Sequence, residues 1–127
     1  MNLPALSELI MFDSTLREVA KDSAELTLAI HKAQKELEKA EANNNESDIT
    51  FLLGYLGNAC RVANLPSDSI QYLERAVFRS KTTGDRKGEL VNTIRLAEAR
   101  KYNGEHAVAE DILRSVLDWT NDNGLST

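Results

Sequence analysis

A single cysteine, Cys60, among 127 residues excludes an intramolecular disulfide, and with it the stapled folds of small secreted proteins. Long apolar runs are missing as well: nothing approaches the roughly 18 consecutive apolar residues of a membrane span. The start of the chain has no basic segment leading into an apolar stretch, since Ser7, Glu8 and Asp13 interrupt Leu6, Leu9 and Ile10, which does not suit a signal peptide. There is no excess of basic charge. With a formal net charge of −5 the surface is poorly suited to phosphate, so neither nucleic acid nor an anionic membrane is expected as a partner. These absences lead to the expectation of a cytoplasmic, reduced protein.

Equipment for catalysis is equally sparse. The glycines are isolated at turns or helix crossings and form no phosphate loop, and His31, His106 and Cys60 have no metal-ligand spacing. His31 stands beside Lys32 and Lys35, as a phosphoacceptor histidine in a helical bundle could, but lacks the small residue expected soon after such a lysine. It reads as a surface helix residue, and Cys60, on an apolar stripe, as a buried inert thiol. No nucleophile, base and orienting group can be assembled. The expectation is no enzyme, no metal and no cofactor.

What is present is helical periodicity. The composition, 42% hydrophobic and 28% charged, is that of a folded globular chain, and its length fits one domain spanning residues 1–127. Behind Pro4, the residues Leu6, Leu9, Ile10, Leu16, Val19 and Ala20 recur at helical spacing, with an interruption at Asp13 where the helix would kink or restart. Asp22 and Glu25 form a capping box for a second helix with the stripe Leu26, Ala29, Ile30, Ala33, Leu37 and Ala40. Asn43-Asn44-Asn45 ends it, and Ser47 or Asp48 is expected to cap the next, whose stripe is Leu52, Leu53, Leu56, Ala59, Cys60 and Ala63. Pro66 opens a partner carrying Ile70, Leu73, Ala76 and Val77, and Gly84 closes it. The pattern restarts with Leu90, Ile94, Leu96 and Ala97, turns at Asn103-Gly104, and ends with Ala109, Ile112, Leu113, Val116 and Leu117, leaving 121–127 as a frayed tail. No segment alternates with a period of two, so no strand is expected and six or seven helices account for the chain.

These helices repeat. Leu56-Gly57 corresponds to Leu96-Ala97, Ser69 to Ala109, Leu73 to Leu113, Ala76 to Val116 and Thr83-Gly84 to Asn123-Gly124, always 40 residues apart. The same step back sets Ile30 under Ile70 and Leu37 under Val77. Small residues at Gly57 and Ser69, and again at Ala97 and Ala109, allow the two helices of a hairpin to cross closely. The residues Leu53, Leu56, Gly57, Cys60, Ser69, Leu73 and Ala76 fall on the W-x2-L-G-x2-Y pattern and the small and apolar positions that follow it, and the chain thereby resembles the tetratricopeptide repeats in a long-period variant. No Trp begins either hairpin, Cys60 and Arg100 stand where the Tyr would be, and the terminal Pro is absent. The resemblance implies an all-α class and an α-α superhelix of about three hairpins, a divergent one at 5–43 and repeats at 48–84 and 86–120, each burying its stripe on a neighbour.

In such arrays the first helix of each hairpin lines a concave face that binds peptides, and on it fall Asn58, Arg61 and Val62 and, one repeat on, Ile94, Arg95, Glu98, Lys101 and Tyr102. Asn58 and Arg61 fit no packing stripe, and the whole set is expected to lie outside the core and meet another protein or a peptide, an acidic one among the candidates: the amide would bond a main chain, the cations carboxylates, and Tyr102 would offer amphipathic area. Gly54 and Arg95 stand where a Lys and an Asn of the family's C-terminal carboxylate clamp would be, so a clamped C-terminus is not the ligand expected. The alternative expectation is a homodimeric helical subunit that buries the end of the last hairpin through Ile112, Val116 and Trp119.

Overall fold

The computed structural model describes residues 1–122. In chain order these form α1 (Leu6–Leu9), β1 (Ile10–Phe12), β2 (Glu18–Ala20), α2 (Ser23–Ala42), α3 (Glu46–Val62), α4 (Pro66–Thr83), α5 (Arg86–Tyr102) and α6 (His106–Asp122). The chain is mostly helical, and from α3 onward each helix folds back on the one before it; α3 also touches α5. The expected match of Thr83-Gly84 to Asn123-Gly124 lies outside the described residues, as does the tail beyond Asp122, whereas Asn121 and Asp122 belong to α6.

The turns between the long helices share one construction. Asn44, Asn64, Gly84 and Gly104 all have positive φ, each 20 residues after the last. In each turn the next residue's N–H reaches back to a carbonyl of the preceding helix: Asn45 to Ala40, Leu65 to Cys60, Asp85 to Ser80 and Glu105 to Arg100, at 2.8–2.9 Å. This is the left-handed helix ending that glycine accepts freely and asparagine tolerates. Helix starts are capped where the chemistry allows: Asp22 accepts from Ala24 and Glu25 N–H, and Asp85 from Gly88 N–H. Asn45 caps α3 by accepting from Asp48 N–H, so neither Ser47 nor Asp48 is the cap there. Pro66 begins α4, whose first turn has no side-chain cap.

The stripe expected on α2 is buried, Leu26 through Ala40, against Ile49, Leu52, Leu53, Leu56, Ala59 and Cys60 of α3. Each fully buried leucine here contributes about 1.5–3 kcal/mol relative to exposure. The α3–α4 crossing is as close as its small residues permit: Ser69 Oγ donates to the Gly57 carbonyl at 2.6 Å. A Cβ on Gly57 would stand 2.5 Å from two carbons of the Leu73 side chain. Beyond this crossing the interior thins to Ile70, Leu73, Leu96 and Ala99, with Ile112 packed on them.

The N-terminal segment departs from expectation. Residues 5–43 are not a helical hairpin: α1 is a single turn, and β1 pairs antiparallel with β2, Ile10 with Ala20, Met11 with Val19 and Phe12 with Glu18. The reading that the chain contains no strand is therefore wrong. Asp13 is the physical reason, because its carboxylate accepts from Thr15 N–H, Thr15 Oγ and Arg17 N–H and folds residues 13–17 into a tight loop. Those hydrogen bonds, the one from the Thr15 hydroxyl foremost, hold its pKa below the usual carboxylate range. Leu16 lies not on a helical face but at the loop tip, with φ 62° and 82% exposure. Leu9 joins the core, with Leu3, Leu6, Ile10 and Ala20 against it, and Tyr55 Oη donates to the Pro4 carbonyl at 2.8 Å.

Candidate partner-binding face

The inner face of α3 and α5 gathers most of the residues singled out in the sequence, in an order different from the one expected. Asn58 and Arg61 are buried, 8% and 6% exposed, which corrects their reading as lying outside the core. Arg61 Nη2 donates to Glu18 Oε1 at 2.8 Å and also to Asn58 Oδ1, and its Nη1 lies 3.1 Å from Glu98 Oε2 on α5. Two carboxylates and an amide thus compensate a guanidinium that would be costly to bury alone. Its Nε is buried and makes no protein hydrogen bond among the described residues. Val62 turns away from this face and packs, partly buried, on the core.

On α5, Ile94, Glu98, Lys101 and Tyr102 are exposed. Tyr102 is not bare: the Arg17 guanidinium carbon, from the β1–β2 loop, stands 4.7 Å from its ring centre, a cation–π contact. Arg95 differs from its neighbours. It is half-buried, and burial foremost, then the like charge of Arg61, lowers its pKa, with Glu18 and Glu98 opposing the shift. No carboxylate makes an ion pair with it among the described residues. It sits at the side of an open groove of about 780 Å³ running between the N-terminal segment and α3. Pro4, Leu6, Ile10 and Phe12 line one wall, and Phe51 and Tyr55 the other.

Three participants were missed in the sequence: Arg17, Glu18 and Phe12. Only their charge or ring could have flagged them, and nothing local says that a segment some 40 residues upstream folds over α3. Ile112, Val116 and Trp119 lie together elsewhere, half-buried along a groove of about 360 Å³ with Val77, Leu90 and Leu96. The Arg86 guanidinium carbon stands 5.9 Å from the Trp119 ring. The more exposed apolar residues of α6 are Leu113 and Leu117.

Among the described residues no three His, Cys, Asp or Glu side chains gather into a metal-binding group, and no helix is long and apolar enough to cross a membrane. Fold and face together define a mostly helical protein of serially packed helices whose α3–α5 face carries Arg61, Arg95 and Lys101 beside an apolar groove. Compared with protein-family models, curated proteins and solved structures, the chain matches none.

Proposed function

We propose that this chain is a cytoplasmic protein-interaction module, a stack of helical hairpins of tetratricopeptide type, which takes an extended segment of a partner protein along the inner face of α3 and α5. The observation that carries the reading is Arg95: a guanidinium drawn half into the protein, with no ion pair of its own among the described residues, on a groove it shares with the Phe51 and Tyr55 rings of α3. A charge that has lost part of its hydration and gained no ion pair is ready to bind a carboxylate. The rings of Phe51 and Tyr55 on α3, which border the same groove, suit an apolar side chain two or three residues away. Nothing in this arrangement calls for bond chemistry.

A second reading, self-association as a helical subunit, draws on Leu113 and Leu117, 44% and 58% exposed on α6. The first is tested by affinity capture from the native lysate with wild-type protein, Arg95→Glu and, as a control on the solvated side of α2, Lys35→Glu. A true partner is held by wild type and by Lys35→Glu and reduced about tenfold or more by Arg95→Glu. Identical captured sets for all three would remove this face as the binding site.

A further inference from the structure

Two residues that a partner would use on the inner face, Arg61 and Tyr102, are already in use. Glu18 of β2 holds Arg61 at 2.8 Å, and Arg17 covers the ring of Tyr102 at 4.7 Å. Between them they link the β1–β2 ribbon to both helices of the face. The ribbon itself is lightly built. Its two strands have three residues each and pair only with one another, and a two-stranded ribbon is marginal on its own. Of its apolar side chains Ile10 and Ala20 pack, partly buried, on the core, while Met11, Phe12 and Leu16 are 45%, 64% and 82% exposed. Leu16 also holds a positive φ that a side chain of its size adopts only at some cost. The Glu18 carboxylate is about a third exposed, so water and salt weaken its hold. The helices beneath are held by other contacts, α3 by Leu52, Leu53 and Leu56 and α5 by Leu96 and Ala99.

A weakly anchored acidic segment thus lies on a firmly anchored cationic face. We infer that the β1–β2 ribbon is an internal ligand, occupying Arg61 and Tyr102 until an extended acidic segment of a partner displaces it. This deepens the reading of the α3–α5 face and rests on it. The internal ligand also states the chemistry of the external one: a carboxylate to replace Glu18 at Arg61, with Arg95 free to take a second. Because the ribbon must leave first, the apparent affinity of the whole chain falls below that of the open face by the fraction of molecules open.

The test uses the full chain and a phage-displayed library of random peptides, selected on Glu18→Ala. Selected clones are expected to be acidic, to require Arg95, and to bind wild type about tenfold more weakly than Glu18→Ala. Arg17→Ala supplies the decisive control. It removes a positive charge where Glu18→Ala removes a negative one, so a mere change in net charge moves acidic-peptide affinity in opposite directions, whereas release of the ribbon raises it in both variants. Equal binding to wild type and both variants, or opposite shifts, overturns the internal ligand while leaving the face intact. Failure to select any peptide that depends on Arg95 overturns the reading of the face and the inference with it.

Discussion

Cys60 shows how much one position owes to its surroundings. Its side chain is enclosed, and burial first, then the negative charge of Asp68, pushes the thiol from its ordinary 9.0 up to about 12. Thiolate is the reactive form, so Cys60 in the native protein should resist an aromatic disulfide reagent at pH 8 and react quickly once urea unfolds the chain. Rapid labelling without urea would show that the α3 stripe opens easily. The same shift carries a stability consequence. A pKa raised by folding means that the unfolded chain loses its proton first. The stabilising contribution is complete below the ordinary thiol value and is lost as the pH rises from there toward 12. Urea midpoints should therefore fall between pH 8 and pH 10.5 by more in wild type than in Cys60→Ala, which has no proton to lose.

At the scale of elements, two glycines one helical turn apart on α3 should respond to the same substitution with opposite signs. Gly57→Ala sets a methyl 2.5 Å from two carbons of Leu73, which is fully enclosed and has nowhere to move. Overpacking of about 1–3 kcal/mol outweighs the roughly 0.5–1 kcal/mol that alanine returns to a helix. At Gly54 the new Cβ would meet only Asn92 Oδ1 at 3.7 Å, an ordinary contact, so Gly54→Ala should stabilise by that same helical increment. Urea denaturation of the pair checks both, and a stabilised Gly57→Ala would mean that α3 and α4 cross elsewhere. This crossing was legible in the sequence because it depends on local facts: a 3.6-residue stripe, small residues twelve apart and turn residues that accept positive φ. The ribbon was not. Ile10, Leu16 and Val19 fit helical spacing as well as they fit strands, and three-residue strands are too short to show a period of two. What decided the segment was Asp13 gathering three donors and Tyr55 reaching back to Pro4. Arg61 was misplaced for the same reason, since the carboxylate of Glu18 that lets it be buried comes from a distant part of the chain.

Across the whole molecule, serial packing of helices meets unequal burial. The 40-residue register pairs Leu73, fully enclosed, with Leu113, 44% exposed. Ile70 and Leu73 are covered by Leu96 and Ala99 of the following hairpin, and among the described residues no later helix does the same for α6, which buries only Ala109. In a stack each unit draws stability from its neighbours, so protection of backbone amides against hydrogen exchange should be greatest in α3, lower in α5 and lowest in α6. Measuring exchange at two protein concentrations separates the two ways in which α6 can exist. If its exchange is fast and independent of concentration, Leu113 and Leu117 stay uncovered in the monomer. If protection of α6 alone rises with concentration, a second copy covers them, and Leu113→Glu should abolish that rise while leaving α3 unchanged. Protection in α6 equal to that in α3 at the lower concentration would contradict the neighbour rule itself, because the buried Ala109 and the half-buried Ile112, Val116 and Trp119 are fewer and less enclosed than the side chains of α3.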